Sequence, residues 1–309
     1  MSSFIELRDQ VFVHYFAGQY QAALELIEMF EPVDRSQDED LRFWRMCIQS
    51  RLGETDLALA TFAEALDAEH WWSETILEDS DLDPLRERPE WMALLRRSAD
   101  AEAQVPTSVT KPMVIPPSGP GTGERRALVV LHGAGSRAEL EAEYWRAATR
   151  DGWTLVLPKS TQRLSAAGRY GWRDLERGKA DVVEQLKESG WPPGCSVVLG
   201  GFSQGGGLAA HLVCAGTIEA QGLVVLSPTF GDWGVPAVAD GRPVRSWILV
   251  GADEHPRIKV GVEELGETLQ GSGWPMEIDR LEGVGHAFPS DFDGRLARAL
   301  IWAGVSDLK

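Results

Sequence analysis

The sequence predicts an α/β protein with a mostly parallel sheet flanked by helices, preceded by a small all-helical domain. Two observations carry this prediction. Before residue 105, glycine and proline are rare and apolar residues recur at intervals of three and four, which is typical of helices. After residue 124, short apolar runs alternate with longer polar segments, which is typical of buried strands joined by crossover helices.

A composition change separates the two parts. The segment 105–123 contains five prolines and three glycines, and a helix does not continue through such a stretch. We therefore expect a helical domain over 1–104 and a second domain over 105–309, whose first residues, 105–124, form a linker. Within this linker, Met-Val-Ile (113–115) is expected to lead into the sheet.

The helical domain contains an internal repeat. Gly18 and Gly53 lie 35 residues apart, and Ala23 and Ala58 keep the same offset. A glycine that ends one helix, followed by a small residue in the next, suits close antiparallel helices, and a period of about 34 is that of helix-turn-helix repeats. The pattern resembles a short tetratricopeptide-type array, whose last helix the segment 79–98 would supply. A helical bundle without a peptide groove is the alternative.

Charge and composition exclude several classes of protein. The chain has 309 residues and a formal net charge of −17, and residues 1–104 hold 23 acidic against 9 basic residues. Such a surface repels phosphate backbones and anionic membranes, so we expect no nucleic-acid partner. No apolar stretch is long enough for a membrane span, and the N-terminus lacks a signal-peptide pattern. The three cysteines fit no metal or disulfide motif, and we expect a cytoplasmic protein.

The candidate nucleophile lies in a G-x-S-x-G motif. Gly201, Ser203 and Gly205 stand after the predicted strand Ser-Val-Val-Leu-Gly (196–200) and before a plausible helix. This is the strand–turn–helix context that the motif requires. The serine of such a motif lies on a tight, strained turn where only glycine fits two positions before and after it. We therefore predict that Ser203 is a catalytic nucleophile.

A serine hydroxyl needs a neighbouring base. We expect His286 to supply it, because it lies in a glycine-flanked loop after the last predicted strand. The other five histidines lie in the helical domain, at strand ends, or too far along the helix after the serine: His14, His70, His132, His211 and His255.

A carboxylate should orient the imidazole, and it should lie between the serine and the histidine in the chain. Asp253 ends the predicted strand Ser-Trp-Ile-Leu-Val-Gly-Ala-Asp (246–253), and Glu254 directly follows it. We prefer Asp253, because it is nearer to the strand end and aspartate is the commoner choice. Glu254 remains the alternative.

Backbone N–H groups should stabilise the oxyanion that forms when a carbonyl is attacked. The amide of Gln204, directly after the nucleophile, is one expected donor. The second should come from the glycine-rich turn His-Gly-Ala-Gly-Ser (132–136), where Ala134 is the expected donor.

In this order, the four motifs resemble those of the α/β-hydrolase superfamily. GFSQGG and LHGAGS together resemble its phospholipase/carboxylesterase branch, which includes acyl-protein thioesterases and small carboxylesterases, as does Trp172 with Asp174 close behind it. The resemblance implies an esterase or thioesterase that works through a Ser-His-Asp triad and an acyl-enzyme, with no metal and no cofactor. Many members of this group place the acid three residues after the strand's glycine, which here is Glu254.

We expect the substrate to be a small ester or acyl compound with a short or exposed acyl group, in a pocket lined by Tyr170, Trp172 and Phe288. The helical domain would offer a surface for a protein or peptide partner. Two alternatives remain at this point: a serine peptidase of the oligopeptidase type, and an interaction scaffold whose hydrolase domain is inactive.

Overall fold

The computed structural model describes residues 4–105, 111–119, 125–189, 195–239 and 241–304. The chain forms two compact units, of which the first combines the N-terminal helices with Arg163–Arg169 and the second contains the sheet. The expected linker falls partly on 106–110 and 120–124, which lie outside the described residues. In the described part of the chain, no helix has both the length and the apolar character that crossing a membrane requires.

The first unit contains six α-helices in its described residues. They are α1 (Phe4–Phe16), α2 (Tyr20–Glu28), α3 (Arg35–Arg51), α4 (Thr55–Asp67), α5 (Glu74–Leu77) and α6 (Pro89–Ala103). Gly18 and Gly53 follow α1 and α3 with φ of 71° and 78°, a left-handed conformation that favours glycine. Ala23 and Ala58 are fully buried, and α1 packs on α2 as α3 packs on α4. The resemblance to a tetratricopeptide-type array stays a prediction.

One segment of the first unit comes from far along the chain. Arg163–Arg169 follows the third strand of the sheet, yet it packs among the N-terminal helices. The backbone N–H of Ser73 donates to the carbonyl oxygen of Leu164 at 2.8 Å, and the N–H of Ala167 donates to the buried carboxylate of Glu39 at 2.8 Å. Sequence analysis assigned this segment to the second domain, because no composition change marks it.

The second unit is built on a seven-stranded sheet in the order β1-β3-β2-β6-β7-β8-β9. Its strands are β1 (Met113–Ile115), β2 (Arg126–Leu131), β3 (Trp153–Leu157), β6 (Ser196–Phe202), β7 (Gly222–Leu226), β8 (Arg245–Gly251) and β9 (Met276–Leu281). Only β1 is antiparallel to its neighbour. A separate two-stranded sheet, which sequence analysis missed, pairs β4 (Gln162–Arg163) with β5 (Tyr170–Gly171).

Helices cover both faces of this sheet. They are α7 (Ala138–Trp145), α8 (Leu175–Glu188), α9 (Ser203–Cys214), α10 (Pro256–Gly271) and α11 (Phe292–Ala303). The apolar side chains of α8, α9 and α10 pack on one face, and those of α7 and α11 pack on the other. A strand such as β7 is therefore buried at every residue, which explains its unbroken apolar run. The predicted fold, a mostly parallel sheet flanked by helices after a helical region, is confirmed.

This topology determines where functional groups can meet. The carboxyl ends of parallel strands lie at one edge of a sheet, which is where such folds bind ligands. The loops after β2, β6, β8 and β9 all emerge at that edge, and they carry the residues that sequence analysis selected.

Candidate active site

Ser203 lies on a strained turn between β6 and α9. Its φ is 55°, a left-handed value that is unusual for a residue other than glycine. A Cβ atom added at Gly205 would lie 2.2 Å from the carbonyl oxygen of Leu131, and one added at Gly201 would lie 2.6 Å from the carbonyl carbon of Gly205. Because these neighbours are backbone atoms that cannot move aside, both glycines are needed for the turn.

The imidazole of His286 lies against this serine. Its Nε2 is 2.8 Å from Ser203 Oγ, and its ring centroid is 4.8 Å from that of Phe202. Another histidine that sequence analysis considered, His211, instead contacts the carbonyl oxygen of Gly234 through Nε2 at 3.0 Å. The structure therefore brings together the predicted nucleophile and the predicted base.

The carboxylate that contacts the imidazole is Glu254. Its Oε2 lies 2.9 Å from His286 Nδ1, its other oxygen accepts the N–H of His255 at 3.1 Å, and its side chain is only 1% exposed. Asp253 is exposed, and its backbone N–H donates to the carbonyl oxygen of Val284 at 3.0 Å. The preference for Asp253 is therefore wrong for this contact: the turn after β8 leaves Asp253 in solvent, and the longer glutamate side chain reaches the ring.

Two backbone segments flank the nucleophile. The helix α9 begins at Ser203, so the N–H groups of its first turn, including that of Gln204, have no partner within the helix. A Cβ atom added at Gly133 would lie 3.5 Å from the Cβ of Ser203, so the loop after β2 passes close by the serine. Ala134 follows in that loop and is exposed. That the amides of Gln204 and Ala134 bind the oxyanion stays a prediction.

Tyr170 and Trp172 make hydrogen bonds to this loop. The N–H of Gly135 donates to the carbonyl oxygen of Tyr170 at 2.9 Å, and the N–H of Tyr170 donates to that of Ser136 at 3.1 Å. Trp172 is fully buried, and its Nε1 donates to the carbonyl oxygen of His132 at 2.9 Å. The indole ring also stacks on the imidazole ring of His132. Trp172 therefore does not line a pocket, which corrects the sequence-based expectation. Burial lowers the pKa of His132 to about 4, so this ring is neutral at pH 7.

An aromatic surface extends from the imidazole. Phe288, a predicted pocket residue, is half-buried and lies 4.8 Å from Phe202 and 4.0 Å from Tyr144, centroid to centroid. The rings of Phe288 and Tyr144 are nearly parallel, and Tyr144 is 50% exposed. We call Phe202, Phe288 and Tyr144 the aromatic ledge. Sequence analysis missed Tyr144, because nothing in the helical pattern of α7 relates it to a loop 144 residues further along.

Sequence analysis did not single out Glu141, a carboxyl group on α7 that the structure shows to be buried. Within the described residues, no three histidine, cysteine, aspartate or glutamate side chains are grouped closely enough to hold a metal ion.

Comparison with solved structures gives a match that spans both parts of the chain. An uncharacterized protein from Bacillus cereus is 18% identical, with a TM-score of 0.51, over 97% of this chain and 98% of that one. At this identity the likeness shows the fold alone.

Two further structures match a smaller share of the chain. Zea mays acyl-protein thioesterase 2 is 14% identical over 62% of this chain and 97% of its own, with a TM-score of 0.48. A phospholipase/carboxylesterase from Dyadobacter fermentans is 17% identical over the same shares, with a TM-score of 0.46. No protein-family model matches the sequence, and neither does any curated protein.

Proposed function

We propose that this chain is a serine hydrolase that cleaves carboxylic esters or thioesters through an acyl-enzyme. One observation carries the proposal: an unbroken line of contacts runs from Ser203 Oγ through both nitrogens of His286 to the carboxylate of Glu254. This is the arrangement that converts an unreactive hydroxyl into a nucleophile, whichever fold supports it.

The first step is attack on the substrate carbonyl carbon. Ser203 Oγ forms the new bond while His286 Nε2 takes its proton, which leaves the ring as an imidazolium. Glu254 accepts the hydrogen on Nδ1, so it selects the tautomer whose Nε2 is free to act as base and stabilises the cation afterwards. Its burial keeps water away from that contact.

The second step releases the leaving group. The carbonyl oxygen carries a negative charge in the tetrahedral intermediate, and the amides of Gln204 and Ala134 are the donors we assign to it. As the intermediate collapses, the bond to the alcohol or thiol breaks and His286 returns the proton to that leaving group. Water then repeats the sequence on the acyl-enzyme, which releases the acid and restores Ser203.

The aromatic ledge indicates which substrates fit. Its exposed end at Tyr144 offers an apolar ring that is linked to the imidazole of His286 through the contacts of Phe288 and Phe202. Aromatic groups stack favourably on such rings. We therefore assign to this site small esters with a short acyl group or an aromatic group.

The test is turnover by the full chain of 4-nitrophenyl acetate, 4-nitrophenyl octanoate, acetyl-coenzyme A and a dipeptide 4-nitroanilide. We expect turnover of the short ester or thioester, and we expect Ser203→Ala to abolish it. Faster cleavage of the anilide would favour a peptidase of the oligopeptidase type. Equal rates for the wild type and Ser203→Ala would contradict the proposal and favour a scaffold.

A further inference from the structure

Trp172 is a fully buried residue whose two N–H groups bind two different segments of the candidate active site. Its indole Nε1 donates to the carbonyl oxygen of His132 at 2.9 Å, and its backbone N–H donates to the side-chain Oε1 of Gln204 at 2.7 Å. His132 directly precedes the loop 133–136, and Gln204 directly follows the nucleophile. The reaction steps described above give Trp172 no role.

The contact with His132 involves the rings as well as the hydrogen bond. The two ring centroids lie 4.8 Å apart, and the ring planes differ by 30°. His132 is itself buried, and its Nδ1 lies 2.9 Å from the carbonyl oxygen of Gly133. Trp172 therefore fixes the end of β2 from which the loop departs.

The same carbonyl oxygen of His132 lies close to the turn that carries the nucleophile. A Cβ atom added at Gly205 would lie 2.4 Å from this oxygen, and one added at Gly133 would lie 3.5 Å from the Cβ of Ser203. The end of β2 and the first turn of α9 thus meet where there is no room for a side chain. A shift of His132 would change how far apart these two segments lie.

Tyr170 holds the other end of the loop. Its backbone carbonyl oxygen accepts the N–H of Gly135 at 2.9 Å, and its N–H donates to the carbonyl oxygen of Ser136 at 3.1 Å. These two bonds shape the loop, but neither of them involves α9. Trp172, two residues further along, is hydrogen-bonded both to the start of the loop and to Gln204, so it relates the loop to the helix.

We propose that Trp172 is a positioning residue for the reaction, which sets the distance between the amides of Ala134 and Gln204. These amides are the two donors that we assigned to the oxyanion, so this inference rests on the proposed function. An oxyanion hole built from two separate segments needs such a link, because both N–H groups must point at one oxygen atom. Since Trp172 is fully buried, it acts through His132 and Gln204 and not by touching substrate.

The expected effect follows from what oxyanion donors contribute. Loss of one donor lowers kcat by about 10²- to 10³-fold, and a misplacement of about 1 Å costs about 10²-fold. Trp172→Phe keeps a ring in the core and removes the Nε1 donor, so we expect a kcat lower by about 10- to 100-fold. Because the donors act on charge that develops in the transition state, KM should stay within about twofold.

The experiment compares Trp172→Phe with Trp233→Phe in the full chain. The indole of Trp233 also donates to a backbone carbonyl oxygen, that of Arg173 at 3.1 Å. The control therefore removes the same kind of bond one residue further along and leaves both hydrogen bonds of Trp172 in place.

For each variant we would measure kcat and KM for 4-nitrophenyl acetate, the melting temperature, and the inhibition constant of a trifluoromethyl ketone. Ser203 Oγ adds to the carbonyl carbon of this ketone while His286 takes the proton, and the carbonyl oxygen becomes an oxyanion. The ketone thus reports on the oxyanion donors without turnover.

We expect kcat to fall about 10- to 100-fold in Trp172→Phe, with the inhibition constant of the ketone rising in proportion to the loss of kcat/KM. Trp233→Phe should lower the melting temperature and keep both kcat and the inhibition constant. An unchanged kcat and inhibition constant in folded Trp172→Phe would show a purely structural role and overturn the inference. An equal loss of kcat in Trp233→Phe would also overturn it.

A second variant covers the case in which Trp172→Phe does not fold. Gln204→Leu removes the acceptor of the Trp172 N–H from a half-buried side chain and keeps the backbone N–H of residue 204. We expect it to lower kcat several-fold and leave KM unchanged, and an unchanged kcat would overturn the inference. Wild-type turnover that does not depend on Ser203 would instead contradict the proposed function itself, so the two failures are distinguishable.

Discussion

The helical unit and the sheet unit each bury a glutamate whose carboxylate accepts a backbone N–H, and the two carboxylates differ in what lies next to them. Glu39 holds Ala167 among helices, where the contact completes the packing of its own unit. Glu254 accepts the N–H of His255, and its other oxygen contacts His286, whose ring lies against Ser203. We therefore expect the first carboxylate to serve stability and the second to serve the proposed reaction.

Two buried serines, one in each unit, differ in the same way. Ser98 in the helical unit donates to the carbonyl oxygen of Trp72 at 2.7 Å and accepts the N–H of the same residue at 3.0 Å. Ser203 lies on a strained backbone and contacts a titratable ring. A buried hydroxyl satisfied by one residue's backbone is structural, whereas strain beside a base is typical of a reactive site.

Replacing each of the two serines by alanine should give the largest difference in kcat between the two units. Ser203→Ala should lower kcat for 4-nitrophenyl acetate by about 10⁴-fold or more, because no other group replaces the nucleophile. Ser98→Ala should keep kcat and lose about 1–3 kcal/mol of unfolding free energy, because it leaves both backbone groups of Trp72 without that partner. Initial rates and urea denaturation measure the two effects; a reversed pattern would contradict the comparison.

The choice between the two acids gives the next largest effect. Glu254→Gln should lower kcat by about 10³- to 10⁴-fold, because an amide favours the wrong tautomer of His286 and does not stabilise its cation. Asp253→Asn should change kcat by less than about threefold, since that side chain is exposed. Steady-state rates at pH 8 measure both, and a larger loss in Asp253→Asn would show that the acid is misassigned.

The aromatic ledge should give a smaller effect. Tyr144→Ala should lower kcat/KM for phenyl acetate by about 2- to 10-fold, because ring stacking contributes about 0.5–1.5 kcal/mol. The same variant should leave kcat/KM for ethyl acetate nearly unchanged. Phe16→Ala, which removes an exposed ring from the helical unit, is the control and should change neither rate. Equal losses on both esters would contradict a stacking role.

The free energy of unfolding should also depend on pH, because each unit contains a carboxyl group whose pKa is raised. Burial raises the pKa of Glu141 from 4.5 to about 7, so the folded state binds more protons than the unfolded chain between these values. The stability contributed by this carboxyl therefore falls as pH rises from 4.5 to 7. The difference in melting temperature between wild type and Glu141→Gln should shrink over that range.

Asp40 in the helical unit should show the same kind of pH dependence as Glu141. Burial raises its pKa from 3.8 to about 6, against the opposing influence of the Arg169 guanidinium. The difference between wild type and Asp40→Asn should shrink between pH 3.8 and 6 and then level off. A constant difference for either variant, measured by thermal melting across the range, would contradict the assigned burial.

Much of the fold followed from the sequence, because strands buried on both faces leave unbroken apolar runs. The predicted strands 196–200 and 246–253 became β6 (Ser196–Phe202) and β8 (Arg245–Gly251), so their bounds changed by no more than two residues at either end. The insertion of Arg163–Arg169 into the helical unit did not follow from the sequence, since it depends on backbone hydrogen bonds that composition does not record.

The site was predictable where chemistry constrains the local sequence. Ser203 has flanking glycines because any larger residue would collide with backbone, so its motif is visible. Asp253 and Glu254 are adjacent, and only the direction of the turn after β8 decides between them. Trp172 and Tyr144 contact residues far along the chain, so their surroundings became visible only in three dimensions.

The central claim is that Ser203 is a nucleophile activated by His286 and Glu254. Its most direct test is labelling of the full chain with a fluorophosphonate, in which Ser203 Oγ bonds to phosphorus and fluoride leaves, followed by peptide mass spectrometry. The account predicts an adduct on Ser203 in the wild type and labelling slower by about 10³-fold or more in His286→Ala. An unlabelled Ser203 in folded protein, or labelling that does not depend on His286, would contradict it.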